Sequence, residues 1–288
     1  MGAKIYDAMH GFLYCEADKL KGCDIQLDYP SVGATENLML AAVYAEGDTY
    51  IRNPAKEPEI VDLQNYLVKM GVKVTGAGTS LIKIEGCSGD LKDVEHTVIP
   101  DRIVAGTYMA AAAITKGHLL LENVIPEHIG PVIYNLRECG CSISMTETSI
   151  DISCSTRPQA IDTIRTLPYP GFPTDMQAQM VALLCVASGT SIIVETVFEN
   201  RFKHVEELLR MGANVKLEGR IAIIKGVEKL TGASVNAWDL RGGAALVLAG
   251  LAAEGETIIN NIKHIDRGYE SLEKKLAQVG ARIYRVED

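Results

Sequence analysis

Asp175 is a carboxylate that the sequence around it holds in place, where it could cap a helix or exchange a proton. It closes the stretch Pro168-Tyr169-Pro170-Gly171-Phe172-Pro173-Thr174-Asp175 and stands where an apolar-periodic run, residues 176–187, begins. Three prolines within six residues fix φ and delete backbone donors, so the stretch is neither helix nor central strand but a stiff loop. A carboxylate held there has two uses. It can cap the helix, for which Asp is among the best residues, or it can accept a proton in a cleft. A second candidate is Ser31-Val32-Gly33, which follows Pro30 and opens a helix. Free N–H groups at a helix start, with a small glycine among them, suit an anion; an ordinary serine cap is the alternative. Arg201, Arg241 and Arg267 carry the side chain suited to bidentate contact with carboxylate or phosphate, though an isolated arginine is commonly just solvated.

Composition narrows the class. The chain has 288 residues, 47% of them hydrophobic, enough for a large core and two domains. A net charge of −9 argues against general nucleic-acid binding, but not against a small anion held by a few arginines. The apolar runs are too short to span a bilayer and the first residues lack the core of a signal peptide, so a cytoplasmic protein without membrane partners is expected. Seven scattered cysteines point to reduced thiols. Cys139-Gly140-Cys141 has no second pair or histidine at ligand spacing, so it reads as a helix-end turn, and no metal is expected.

Two landmarks recur about every seventy residues. One is a helix end, Gly, a small residue and a strand: Met70-Gly71-Val72, Cys139-Gly140-Cys141, Met211-Gly212-Ala213 and Val279-Gly280-Ala281, with Met1-Gly2-Ala3 as a fifth copy. The other is a glycine closing an earlier helix: Gly47, Gly117, Gly189 and Gly255, each followed by a β-rich run. Each unit therefore reads helix, strand, helix, strand, strand. In one such unit these are residues 34–45, 49–52, 58–70, 72–75 and 81–84. Met1 takes the position of Met70 and Met211, so the sequence is expected to open inside a unit, with an N-terminal part absent from it. Helices such as residues 57–70 would then expose an apolar patch, favouring aggregation.

With both landmarks and the proline loop in hand, the chain resembles the UDP-N-acetylglucosamine 1-carboxyvinyltransferase family of enolpyruvyl transferases. The resemblance runs end to end. It is carried by Pro30 to Asn37, Arg52-Asn53, Glu57-Pro58-Glu59-Ile60, Ile99-Pro100-Asp101-Arg102, Leu167 to Gln179, Glu195 to Phe202, Asp239-Leu240-Arg241 and His264-Ile265-Asp266-Arg267-Gly268-Tyr269. It implies an α/β fold (α+β repeats), a two-domain inside-out α/β barrel of the enolpyruvyl transferase type. Residues 1–99 would form an incomplete first domain and residues 100–288 the second.

The reaction implied joins the 3′-hydroxyl of UDP-N-acetylglucosamine to phosphoenolpyruvate and then eliminates phosphate from a tetrahedral intermediate, with no metal or redox cofactor and in a monomer. By the resemblance, Asp175 is the base at the sugar hydroxyl, with Thr174 and Phe172 on the same wall. Ser31, Val32 and Gly33 receive the uridine diphosphate. Val197 and Phe198 line the nucleotide-sugar pocket, although Val197 in particular also reads as plain core. Arg241 and Arg267 surround the phosphoenolpyruvate carboxylate, oriented by Asp239 and Asp266, and Arg201 lies near the nucleotide end. Glu57 and Glu59 are helix-start acids first and ligands second.

Two departures stand out. Trp238 precedes Asp239 where a small residue is expected, which would reshape the pocket wall. The family's lysine–asparagine pair, its loop bearing the acid residue (usually Cys) and two further arginines fall upstream of Met1, so none of these seven cysteines inherits that role. Two other readings are a non-catalytic UDP-N-acetylglucosamine-binding relative and an enolpyruvyl transferase with another acceptor. The expectation is that the 288-residue polypeptide alone releases negligible phosphate from the two substrates; near-normal turnover in a phosphate-release assay would contradict it.

Overall fold

The computed structural model describes residues 1–7 and 11–286, and contacts divide it into two units, Met1–Ile99 and Pro100–Asp288. In the first unit a hairpin of β1 (Lys4–Asp7) and β2 (Leu13–Glu16) precedes β3 (Asp24–Gln26), α1 (Val32–Ala42), β4 (Asp48–Arg52), α2 (Pro58–Lys69), β5 (Lys73–Thr75) and β6 (Leu81–Glu85). The last four strands form a sheet in the order β3-β4-β6-β5, parallel at β3–β4 and antiparallel elsewhere. Strand β6 alternates buried Ile82 and Ile84 with half-buried neighbours, as a one-faced strand must. These pack with Met39 of α1 and Ile60 and Leu67 of α2 into this unit's core. Pro58 sits at the start of α2, where its missing N–H is one the helix would leave unpaired anyway.

The apolar exposure expected of residues 57–70 lies mainly elsewhere. Helix α2 buries Pro58, Ile60 and Leu67 and leaves Val68 half-exposed. The more exposed apolar side chains of this unit are Val98 near its end, Ile5, Leu13 and Tyr14 of the hairpin, Phe12 beside it, and Leu40 and Tyr44 in and after α1. The reason is local: the apolar face of α2 is closed by its own sheet, whereas a two-stranded hairpin has no second layer.

The second unit begins with α3 (Arg102–Ile114), β7 (His118–Glu122), α4 (Gly130–Glu138), β8 (Ser142–Met145), β9 (Ser149–Ser153) and β10 (Thr163–Arg165). There follow α5 (Gln177–Cys185), β11 (Thr190–Val194), α6 (Lys203–Arg210), β12 (Asn214–Glu218), β13 (Ile221–Lys225), β14 (Leu230–Thr231) and β15 (Ser234–Asn236). The chain closes with α7 (Leu240–Ala252), β16 (Ala253–Glu254), β17 (Ile258–Asn260), α8 (Lys263–Asp266) and α9 (Leu272–Gln278). The sheet β10-β11-β13-β12 repeats the order and pairing directions of β3-β4-β6-β5, two repeat periods on. Helix α5 is buried at every position and α3 and α7 along most of their length, and the three pack on one another. A helix apolar on all sides belongs inside, so here the helices form the centre and the sheets the outer layer.

The helix-end glycines behave alike: Gly71, Gly140, Gly212 and Gly280 take φ of +101°, +93°, +85° and +100°. After Gly280 the expected strand is missing, since residues 281–286 carry no ladder. Strand β17 pairs with β15, and no further strand among the described residues is there to receive it. Arg285 instead bonds Asp266 and Glu273.

Another recurring glycine is fixed by proximity. A Cβ on Gly86 would lie 1.7 Å from the Ala45 carbonyl oxygen, and one on Gly226 1.8 Å from that of Ala187. Gly226→Ala is expected to cost at least ~2 kcal/mol in urea unfolding, because backbone must move. Gly130→Ala meets nothing beyond its chain neighbours, and is expected to cost less, about 1 kcal/mol, because the new methyl must keep the α conformation directly before Pro131.

Candidate active site

The proline loop leaves β10 and returns on itself. Leu167 N–H donates to the Phe172 carbonyl and Gly171 N–H to that of Pro168, while the Phe172 ring is buried. The chain then makes a single 3-10 turn, Thr174–Met176, before α5. The capping reading of Asp175 does not hold: Met176 occupies the cap position of α5 and no side chain caps it. The Asp175 carboxylate faces two guanidinium groups instead. Arg201 Nη2 donates to Oδ1 at 2.5 Å and Arg241 Nη2 to Oδ2 at 3.0 Å. Burial by itself would raise the carboxyl's pKa, but the charges of Arg241 and Arg201 and their hydrogen bonds outweigh it and hold Asp175 below the ordinary carboxylate value. Its side chain remains 38% exposed, open to a ligand, whereas Arg201 and Arg241 keep 18% and 13%.

Around this centre the partners are locked in turn. Arg201 Nη1 donates to Thr174 Oγ1 at 2.9 Å, and its guanidinium lies 4.7 Å from the Phe198 ring centroid. Thr174 Oγ1 in turn donates a hydrogen bond to Glu195 Oε2 at 2.9 Å. Glu195 is almost wholly buried, and its Oε1 accepts from Thr166 Oγ1 and from the Val197 and Phe198 N–H groups. A buried carboxylate met by four donors shapes the turn that presents Phe198. Val197 is half-buried and Phe198 exposed. Sequence reasoning quoted Glu195 only as part of a motif; its signal was an acid at the end of an otherwise apolar strand.

Other expected partnerships are not formed. Asp239 does not touch Arg241; its Oδ1 caps α7 by accepting from Gly242 N–H at 2.8 Å. Asp266 pairs with Arg285 rather than orienting Arg267. Arg267 is exposed at the end of α8 and has no ion-pair or hydrogen-bond partner among the described residues beyond the backbone of its own turn. Arg241 instead donates from Nη1 to the Tyr269 hydroxyl at 3.2 Å. Tyr269 is a residue that the sequence reading cited without assigning it a role. Trp238 stays half-exposed, with its indole N–H donating to Glu207 Oε1 at 3.1 Å.

In the first unit, Ser31 does cap α1, its Oγ accepting from Ala34 N–H at 3.3 Å. Val32 is half-buried, and Gly33 faces open space, with nothing within 4 Å of where a Cβ would stand. Glu57 holds the cap position of α2 without a capping bond. Glu36 has its pKa raised by burial first, then by Glu59 and Glu57. Among the described residues no group of three or more His, Cys, Asp or Glu could hold a metal ion, and no helix is long and apolar enough to cross a membrane.

His204 on α6 is buried with neither ring nitrogen hydrogen-bonded among the described residues. Burial pushes its pKa from 6.5 down to about 4, against the raising effect of Asp239 and with the lowering effect of Arg201. The unfolded chain thus takes up this proton before the folded one. Stability is full above pH 6.5 and is lost as the pH falls toward 4, by up to about 1.4 kcal/mol per pH unit. Urea melts across that window check the slope, which His204→Leu is expected to flatten.

Comparison with known proteins meets this geometry. The family model for EPSP synthase (3-phosphoshikimate 1-carboxyvinyltransferase) matches residues 1–276. Two curated relatives from Caldanaerobacter subterraneus subsp. tengcongensis are named UDP-N-acetylglucosamine 1-carboxyvinyltransferase 2 and 1. The first is 57% identical over 286 residues, 99% of this chain and 68% of its own length. The second is 61% identical over 276 residues, 96% of this chain and 66% of its own length. The chain thus spans about two thirds of the length of these relatives. Among solved structures, the enolpyruvyl transferase NikO from Streptomyces tendae matches with a TM-score of 0.88 at 25% identity, covering 98% of this chain and 69% of that one. EPSP synthase from Acinetobacter baumannii shares the fold, with a TM-score of 0.73 at 20% identity over 100% of this chain and 70% of that one. By the family match and these identities, the chain belongs to the UDP-N-acetylglucosamine 1-carboxyvinyltransferases, within the enolpyruvyl transferases of α/β fold.

Proposed function

We propose that the protein serves the transfer of the enolpyruvyl group from phosphoenolpyruvate to the 3′-hydroxyl of UDP-N-acetylglucosamine, with release of phosphate, in cytoplasmic peptidoglycan synthesis. The observation that carries this reading is the Asp175 carboxylate set between Arg201 and Arg241 at the end of a stiff loop. In this reading Asp175 takes the proton of the attacking hydroxyl. Arg241 and Arg201 hold anionic groups of the ligands, and Arg267 is a further cation with no competing ion pair among the described residues. The names of the relatives supply the substrate class.

In this reading the base acts only under a condition. With a guanidinium on each oxygen, Asp175 is ionised but weakly basic. A substrate carboxylate or phosphate that draws Arg241 toward itself weakens that hold, and the basicity of Asp175 rises as the anion binds. Proton abstraction is thereby coupled to occupancy of the anion site, and an empty site keeps the carboxylate quiet.

The first test is direct titration of the purified chain. UDP-N-acetylglucosamine is expected to bind and shikimate 3-phosphate is not; the reverse would overturn the acceptor assignment. Arg241→Ala is expected to weaken phosphoenolpyruvate binding about tenfold or more, ~1.4 kcal/mol, with sugar binding little changed. In any form of the protein that turns over, Asp175→Asn is expected to cut phosphate release by roughly two to four orders of magnitude while sparing sugar binding. Retained turnover in that variant would remove Asp175 as the base.

A further inference from the structure

Three side chains from separate elements meet behind Arg241. Tyr269, 2% exposed, brings its hydroxyl within 2.9 Å of Thr107 Oγ1 on α3 and 3.3 Å of Gln179 Nε2 on α5, besides the 3.2 Å contact with Arg241 Nη1 on α7. Gln179 Nε2 also lies 3.1 Å from Thr107 Oγ1. Thr107 and Gln179 are themselves buried.

The protons in this cluster have one consistent assignment. Thr107 commits its hydroxyl proton to the Ile103 carbonyl, at 2.8 Å, one helical turn back. Its oxygen therefore accepts from both Tyr269 and Gln179. The Tyr269 proton goes to Thr107, which leaves the phenol oxygen as an acceptor, and only that role suits a guanidinium with no lone pair to offer. The two amide protons of Gln179 go to Thr107 and Tyr269. Every donor in the group is used, and the oxygen facing Arg241 cannot reverse its polarity without breaking a buried bond. Among the described residues, the titratable groups that interact with Tyr269 are Arg241 and, on α3, Tyr108, which Glu273 on α9 also approaches.

We propose that Tyr269 is a positioning residue: with Thr107 and Gln179 behind it, it fixes one arm of the Arg241 guanidinium so that the other arm stays on Asp175 and the anion site is formed before any substrate arrives. The proposal rests on reading Asp175 and Arg241 as the reaction centre. It explains why Tyr269 turns inward while Arg267, two residues before it, is left exposed.

Tyr269→Phe keeps the ring and removes only the acceptor. In the ligand-free 288-residue protein, the Asp175 carboxyl carbon followed by NMR is expected to titrate at a pH higher by on the order of half a unit or more, because Arg241 is no longer held against it. Phosphoenolpyruvate affinity is expected to fall about three- to tenfold, with UDP-N-acetylglucosamine affinity unchanged. The titration needs no substrate, so it decides the positioning role even if neither substrate binds, an outcome that would overturn the functional reading alone. A folded Tyr269→Phe protein with the wild-type Asp175 titration overturns the proposal. If that variant does not fold, Thr107→Val and Thr107→Ser decide. Valine is expected to move the titration upward and serine to restore it, and equal behaviour of the two overturns the proposal.

Discussion

One carboxylate between two guanidinium groups is the constraint on which the second unit depends. Asp175, Arg201 and Arg241 come from the 3-10 turn before α5, the segment between β11 and α6, and the first turn of α7. Bringing them together without leaving a buried charge unpaired requires those elements to be held closely. The packing of α5 against α7, both apolar on nearly every side, supplies that hold. The trio carries one positive charge in excess, and the Asp175 side chain is the most exposed of the three. A cation surplus beside an open carboxylate is chemically suited to an anion.

Two carboxylates near this centre have opposite uses because their partners differ. Glu195 accepts from hydroxyl and backbone donors and is closed to solvent, so it organises the turn at Val197 and Phe198 and anchors Thr174. Asp175 accepts only from cations and remains accessible, so its proton affinity depends on where those cations are. Thr174 joins the two, donating to Glu195 while accepting from Arg201. The loop is stiff from its prolines and from this chain of bonds together.

The repeat explains the remaining architecture. Two of the repeats, at residues 24–85 and 163–225, form a four-stranded sheet with one parallel and two antiparallel pairings, and the repeat at residues 118–153 forms the three-stranded antiparallel sheet β7-β9-β8. The same close approach of a glycine to a carbonyl recurs at Gly86 and Gly226. At residues 281–286, for which no partner strand stands among the described residues, the motif keeps its glycine turn and forms no ladder. The turn is encoded in a few adjacent residues, whereas a ladder needs a second backbone.

What could be read from the residues alone was whatever short range decides. The helix-end glycines, the apolar periodicity, the irregular course of the loop before Asp175 and the serine cap at Ser31 each depend on a few neighbouring positions, and each is found in the structure. The grouping of the charges was not legible in that way. Asp239 and Asp266 stand beside the arginines in the chain, yet one caps α7 and the other pairs with Arg285, while Arg241 reaches Asp175 and Tyr269 across the centre of the unit. The sequence by itself determined which segments turn, which faces are apolar and which residue types are present to do chemistry. Tertiary structure alone decided which arginine meets which carboxylate, and that Tyr269 stands behind Arg241. Ion pairs and buried hydrogen bonds depend on separations of a few ångströms between side chains far apart in the chain, and only helix packing sets those distances.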